Sequence, residues 1–211
     1  MTARTTPVAP LPRPTGTLLP ARAHGVPLTL VSLTGVALLA AWAAYGLDVY
    51  LDPRRLVPVV ALAPLMAAAV IGTGLHSSME ELERTAVRPW RPRRLAQSAG
   101  PTAVAAALLA LAVVAHDSRF GAAAMVRNTL GAVGITTAAA TVTGARLSWL
   151  PAFAYLSAVY LGAPRTHSGA AQVWAWPMQP GDRPWAWAAA VALFALGVAL
   201  HARLGCGRGP V

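Results

Sequence analysis

The sequence predicts an all-α integral membrane protein with six transmembrane helices and with both termini in the cytoplasm. Its 211 residues are 56% hydrophobic and only 11% charged, and the mean hydropathy is +0.53. Ordinary soluble domains carry about 25% charged residues. Six apolar windows also approach the ~20 residues that a helix needs to cross the hydrocarbon core of a bilayer. Together these features exclude an ordinary soluble globule.

The six predicted spans follow one another with short connections. The first three contain no ionisable residue, although the third includes Gln97 and Ser98. The fourth begins at Asn128, or earlier if the Arg127 side chain reaches out to the membrane surface. The fifth and sixth are at the short end of the spanning range. The predicted bounds are about 28–46, 56–75, 96–115, 128–145, 147–163 and 184–200.

The distribution of arginine predicts the orientation of these spans. Residues 1–26 are rich in proline and threonine and predict a disordered cytoplasmic arm; residues 27–203 form the six-span domain, and residues 204–211 form a cytoplasmic tail. With the N-terminus inside, eleven arginines lie in inside segments and six in outside segments, as expected because arginine is retained in cytoplasmic loops. The arginines lie in short segments between apolar runs, so the positive charge does not indicate nucleic-acid binding.

The connection between the second and third spans, residues 76–95, holds all three glutamates of the chain. Ser77 with Glu80, and Ser78 with Glu81, match the capping box that starts a helix. Pro89 opposes continuation of that helix, so we expect a short amphipathic cytoplasmic helix over about 77–88 and an extended basic strip after it. Such a helix could lie on the membrane surface or bind a soluble partner. Its candidate partner-binding residues are Glu80, Glu81, Glu83, Arg84 and Arg88, with Met79 and Leu82 on the membrane side.

The longest outside connection, residues 164–183, precedes the sixth span and is rich in tryptophan. The indoles of this connection fit an aromatic belt at the headgroup level of the membrane. The alternative is that Trp174, Trp176, Met178 and Gln179 form part of an external gate or contact a substrate. Both interpretations stay open.

The residues that carry chemistry in membrane enzymes and ion-coupled transporters are scarce. The five histidines are scattered and match no H-E-x-x-H pattern, Cys206 stands alone, and there is no G-x-S-x-G or phosphate loop. His116, Asp117 and Ser118 are adjacent and cannot form a catalytic relay, which is assembled from separate elements. We therefore expect no catalytic residue, metal or cofactor in this chain. In the fourth span, Gly131 and Gly134 offer small surfaces for close helix packing.

Four stretches resemble the membrane subunit of ABC transporters of the type-two exporter class: "LHSSMEELERTAVRPWRPRRLA", "RNTLGAVG", "GARLSWLPAFAY" and "WAWPMQPGD". The resemblance implies six spans, cytoplasmic termini, and a coupling helix between spans two and three that binds a separate ATPase. It also implies a homodimer, or a dimer with a related permease subunit, in a bacterial plasma membrane. ATP and Mg would then be bound by the partner chain. The proline-rich residues 1–26 depart from the amphipathic N-terminal helix that this family often has.

Two other classes of function remain as alternatives. One is a non-catalytic membrane scaffold or self-protection protein, which would share the topology without ATP-dependent transport. The second is a small integral-membrane enzyme, which would turn over a lipid or isoprenoid substrate without a partner.

Overall fold

The computed structural model describes residues 26–46, 57–75, 90–114, 121–162 and 174–207. Within these ranges the chain forms six α-helices and two single-turn 3₁₀-helices, and no strand. This confirms the prediction of an all-helical fold. The α-helices are α1 (Val26–Gly46), α2 (Val57–Gly74), α3 (Trp90–Val113), α4 (Gly121–Thr143), α5 (Trp149–Gly162) and α6 (Pro184–Leu204), and the 3₁₀-helices are η1 (Ala145–Leu147) and η2 (Trp176–Met178).

Helix α4 lies at the centre of the bundle. It packs against α2, α3, α5 and α6, most extensively against α6, whereas α1 packs on α2 and α3 at the periphery. Twelve of the 23 residues of α4 are buried, and five of the twelve are polar or charged. Two of its buried threonines donate hydrogen bonds to carbonyl groups of the preceding turn of the same helix. Thr129 donates to Met125 at 2.8 Å and Thr137 donates to Val133 at 2.9 Å. Such bonds to the preceding turn allow polar side chains to be buried in an apolar bundle.

Glycines set the close packing of α4 against α6. A Cβ atom added at Gly134 would lie 2.5 Å from the backbone of Leu193 and Phe194, and one added at Gly197 would overlap the carbonyl group of Gly134. The two backbones thus approach too closely for any side chain at these positions, as is common where small residues line helix interfaces. The predicted role of Gly134 in close helix packing agrees with this geometry.

Three of the six helices are long and apolar enough to cross a membrane. They are Pro27–Gly46, Arg91–Val113 and Pro184–Leu204, with 20, 23 and 21 residues. Large apolar side chains on their surfaces are exposed, for example Leu28 at 72% and Leu111 at 65%. Extended exposed apolar surface is typical of contact with a membrane or with another protein, and the length and composition of these helices favour a membrane.

Three spanning helices are fewer than the six that the sequence predicts. Each of the other three helices is too short or not apolar enough, for reasons that differ among them. The apolar part of α2 covers only Val59–Gly74, and α5 has 14 residues. Helix α4 is long enough, but Arg127, Asn128 and five threonines lower its hydropathy. Its polar residues are covered by other helices and not by lipid, so the apolar composition of a lipid-facing helix is not required of it.

Two predicted boundaries are wrong. The basic strip up to Leu95 was expected to be extended, but Trp90–Leu95 forms the first turns of α3. Pro92 is compatible with these turns because the first four amide groups of a helix have no partner within it. Helix α4 begins at Gly121, seven residues before the expected Asn128, so that Arg127 lies inside the helix. Residues 1–25 of the predicted arm (1–26) and the predicted coupling helix (77–88) are outside the described residues, whereas Val26 begins α1.

The residues after α6 fold back onto the bundle. The Gly207 amide donates to the Ala140 carbonyl at 2.9 Å, and the Cys206 thiol lies 3.5 Å from the Leu75 carbonyl. Gly205 has a positive φ of 74°, a conformation that glycine adopts readily at the end of a helix. The end of α6 is therefore held against α2 and α4.

We expect Gly197→Ala to destabilise the bundle, because the added methyl group meets the α4 backbone, which cannot move aside as a side chain can. Overpacking typically costs about 1–3 kcal/mol, so the midpoint of thermal unfolding in detergent should fall by several degrees. Gly35→Ala is the matched control, since a Cβ at Gly35 meets nothing within 4 Å. Equal midpoints for the two variants would contradict the close packing of α4 and α6.

Candidate functional site

An arginine and an asparagine are fully enclosed at the centre of the fold. Arg127 and Asn128 lie in the second turn of α4 and are 0% and 2% exposed. The alternative in which the Arg127 side chain reaches out to the membrane surface is wrong, because its guanidinium group is enclosed by protein. A buried charge is costly unless it is paired and hydrogen-bonded, so the partners of this group define the site.

The partners of Arg127 are backbone carbonyl groups of one short segment. Its Nη1 donates to the Pro180 carbonyl at 2.8 Å, and its Nη2 donates to the Gln179 carbonyl at 2.8 Å and to the Pro177 carbonyl at 3.3 Å. These three residues belong to the connection between α5 and α6. We call residues 174–183 the inserted segment. A single side chain of α4 therefore binds three carbonyl groups of this segment.

Asn128 joins the same network to a third element. Its Oδ1 accepts from Nε and Nη2 of Arg127, both at 3.2 Å, and its Nδ2 donates to the Pro177 carbonyl at 2.9 Å and to the Val60 carbonyl at 3.1 Å. Pro64, one turn after Val60 in α2, has no amide hydrogen and leaves the Val60 carbonyl without its helical donor. Asn128 supplies that donor. The pair thus ties α2 and α4 to the inserted segment.

Aromatic packing fixes the inserted segment from the other side. Trp176 is 4% exposed, and its six-membered ring occupies the space over Gly131, where a Cβ atom would overlap it. The ring stacks on Tyr155 of α5, with centroids 6.5 Å apart and planes at 25°, and the Tyr155 hydroxyl donates to the Trp174 carbonyl. From α6, Trp187 Nε1 donates to the Gly181 carbonyl at 2.9 Å.

The four residues predicted for an external gate all lie in the inserted segment. Trp176 and Gln179 are buried and Met178 is half-buried, whereas Trp174 is 38% exposed. An aromatic belt at the headgroup level fits Trp174, but it does not fit Trp176, which is enclosed by protein. The seven candidate residues of the coupling helix are outside the described residues: Met79, Glu80, Glu81, Leu82, Glu83, Arg84 and Arg88.

The charge of Arg127 is balanced mainly by dipoles. No carboxylate is hydrogen-bonded to it among the described residues, and Asp182, the only acid in those ranges, is exposed and acts on it through space. Carbonyl groups with two lone pairs each can solvate a guanidinium group in this way. The arrangement can hold the inserted segment in place, and it offers no acid or base for proton transfer.

Sequence reasoning missed the site because its partners are about 50 residues apart along the chain. One signal was present, since an arginine next to an apolar span is expensive and by default marks function. The stretch "RNTLGAVG" contains that arginine, its asparagine and the glycine that receives Trp176.

A second group of polar side chains lies at the opposite end of α6. The Sγ of Cys206 is 3.9 Å from Nδ1 of His201, and no hydrogen bond is made by the buried Nε2 of His201 within the described part of the chain. Arg94 lies close by, against Gly205. No group of three or more potential metal ligands occurs among the described residues.

Comparison of the chain with models of protein families, with curated proteins and with solved structures found no match.

We expect Arg127→Leu to release the inserted segment, because the Gln179 carbonyl loses its donor at a cost of about 1–3 kcal/mol, and the Pro177 and Pro180 carbonyls each lose one of two donors. The measurement is the rate at which a water-soluble maleimide labels Gln179→Cys in a Cys206→Ser background in detergent. Residue 179 is 5% exposed, so labelling should be slow with Arg127 present and at least about tenfold faster without it. Arg146→Leu, a change at an exposed arginine, is the control. Unchanged labelling in Arg127→Leu would contradict the role of this network.

We expect Gly131→Ala to lower the midpoint of thermal unfolding, since the methyl group collides with the Trp176 ring. In a Trp176→Leu background the same change should have little effect, because the smaller side chain leaves room. The two changes should therefore be non-additive by about 1 kcal/mol or more, as for residues in direct contact. Additive effects would show that Trp176 does not determine the need for glycine at position 131.

Proposed function

We propose that this chain is the membrane subunit of an ATP-driven exporter of the type-two ABC class, a permease with the inserted segment as its external gate. The observation that carries the proposal is the Arg127 network. A fully buried arginine whose partners are carbonyl groups of one connecting segment is suited to closing one end of a helical bundle reversibly, because hydrogen bonds can exchange with water or substrate.

The arrangement of the helices supports a transport path over a purely structural role. Helix α4 is lined with threonine, asparagine and small residues and is surrounded by the other helices. In membrane proteins, polar side chains buried between helices typically mark the paths of substrates or ions. In the proposed topology α2, α4 and α5 are also membrane spans, and both termini lie in the cytoplasm.

The charged connection between α2 and α3 supports coupling to a separate ATPase. Its arginines agree with an inside location, but acidic residues contribute little to orientation. The three glutamates are therefore better explained by a partner that binds them. ATP and Mg would be bound by that partner, and a second copy of this chain or a related subunit would complete the path in the bacterial plasma membrane.

The test is reversal of Glu80, Glu81 and Glu83 to arginine in cells that co-express the chain with an ABC ATPase encoded next to it. We expect the variant to insert into the membrane normally but to lose co-purification of the ATPase and ATP-dependent uptake of amphiphilic dyes into inverted vesicles. Reversal of Arg146 to glutamate, an exposed charge elsewhere on the predicted inside, is the matched control and should retain both activities.

Two results would contradict different parts of the proposal. Undiminished ATPase binding by the triple variant would remove the coupling role of 77–88. Absence of any ATP-dependent uptake by the unmodified chain would favour the scaffold or self-protection alternative, and turnover of a lipid by the purified chain alone would favour the enzyme.

A further inference from the structure

The bonds of Arg127 and Asn128 fall into two sets, one within the helices and one to the inserted segment. Within the helices, Nε and Nη2 of Arg127 donate to Asn128 Oδ1, both at 3.2 Å, and Asn128 Nδ2 donates to the Val60 carbonyl of α2 at 3.1 Å. The other bonds all end on carbonyl groups of residues 177–180. If the inserted segment withdraws, α2 and α4 still hold both side chains in place.

The second set of bonds defines a site that contains only hydrogen-bond donors on the helix side. Arg127 Nη2 and Asn128 Nδ2 both donate to the Pro177 carbonyl, at 3.3 and 2.9 Å, so these two nitrogens converge on one oxygen. Arg127 Nη1 and Nη2 each bind a further carbonyl oxygen at 2.8 Å. A guanidinium group accepts no hydrogen bond. Withdrawal of the segment therefore leaves converging N–H groups that oxygen atoms must satisfy.

The charge of this site favours an anion over a neutral acceptor. The partners of Arg127 in the described part of the chain are carbonyl and amide oxygens, which supply dipoles but no negative charge. A carboxylate or phosphate group can accept from both Nη atoms at once, and such charge-assisted bonds are about twice as strong as neutral ones. An oxyanion is thus a better partner for these donors than the carbonyl groups that it would replace.

The surroundings of the site are apolar. Val60, Ala124 and Met125 belong to the hydrophobic core, and the buried ring of Trp176 lies over Gly131, one turn further along α4. A small inorganic ion would gain nothing from these side chains. An anionic group attached to an apolar body would contact them and also place its charge on Arg127.

We propose that the substrate of this chain is an acidic amphiphile whose carboxylate or phosphate group binds Arg127 and Asn128 in place of the inserted segment. The carbonyl groups of Pro177, Gln179 and Pro180 occupy the oxyanion site in the closed state. Because the anion and the segment exclude each other from one set of donors, binding of the anion shifts the chain towards the open gate. The assignment as a transported substrate rests on the proposed function, whereas the oxyanion site rests on the network alone.

The test measures how fast a water-soluble maleimide labels Gln179→Cys in a Cys206→Ser background of the full chain in detergent. The change at residue 179 leaves its backbone carbonyl in place. Decanoate and decyl phosphate should each accelerate labelling by at least about fivefold, the lower end of typical coupling between two ligands. Decanol and decyltrimethylammonium have the same chain length without a negative charge and should not accelerate it.

Variants of the arginine separate its charge from its hydrogen bonds. Arg127→Gln keeps an N–H donor without the charge and should lose the acceleration by decanoate, whereas Arg127→Lys should retain it. Arg183→Gln removes an exposed charge at the same end and should also retain it. Ser148→Cys, in place of Gln179→Cys, reports on a buried residue whose hydroxyl bonds to Ala145 and not to the inserted segment. Its labelling should not respond to any of the amphiphiles.

Several outcomes would overturn the proposal. Labelling that decanoate does not accelerate would show that no external anion takes the vacated site, as would be the case if a carboxylate of the chain itself fills it. Acceleration that survives Arg127→Gln, or that occurs equally at Ser148→Cys, would indicate general loosening by the amphiphile. Acceleration by phosphatidylglycerol in phosphatidylcholine nanodiscs would assign the site to a membrane lipid in place of a transported substrate.

Transport separates this inference from the exporter proposal. With the ATPase in inverted vesicles, acidic amphiphilic dyes should be taken up and cationic dyes of similar size should not. Equal uptake of both would overturn the substrate class and leave the exporter standing. If neither dye is taken up, the exporter proposal and the substrate assignment both fail, and acceleration of labelling by decanoate would still support the oxyanion site.

Discussion

The burial of one guanidinium group is the constraint on which most of this structure depends. Moving a charged side chain out of water costs several kcal/mol unless hydrogen bonds replace its hydration. Carbonyl groups outside a helix or sheet carry a related penalty in an apolar environment. Arg127 and the inserted segment each remove the penalty of the other, since the carbonyl groups of Pro177, Gln179 and Pro180 surround the cation. A regular helix in this segment would use those carbonyl groups internally and leave the arginine without partners.

Small residues make this arrangement sterically feasible. Gly131 leaves the space that the Trp176 ring fills, and Gly134 and Gly197 let the backbones of α4 and α6 come into contact. In a bundle without water, association of helices depends on such contacts more than on the hydrophobic effect. The polar network and Gly131 therefore act together, because the inserted segment can lie against α4 only where Gly131 leaves room for Trp176.

The sequence predicts the helices of this fold much better than the polar network around Arg127 at its centre. Helices α1, α2 and α6 begin and end within four residues of the predicted spans because apolar runs bounded by polar residues mark them directly. The same criterion fails for α4, where Arg127 interrupts the apolar run although the helix continues through it. Whether such a residue ends a span or is buried depends on carbonyl groups some 50 residues away, and no local pattern reveals them. The prediction of an extended strip before α3 is wrong for a different reason. Proline opposes a helix only beyond its first turn.

Helix α6 connects the two ends of the molecule, which limits how the inserted segment can move. Pro184 follows that segment directly, and Gly205–Gly207, after the last turn, is held to α4 by the bond from Gly207 to Ala140. Between these ends the backbones of α6 and α4 touch at Gly134 and Gly197, where no side chain can give way. Packed helices with such contacts shift as rigid elements and do not deform continuously. Withdrawal of the inserted segment from α4 therefore requires loss of the Arg127 and Asn128 bonds. It also requires either loss of the Trp187 bond with α6 in place, or a shift of α6 against α4 that disturbs the contacts at its other end.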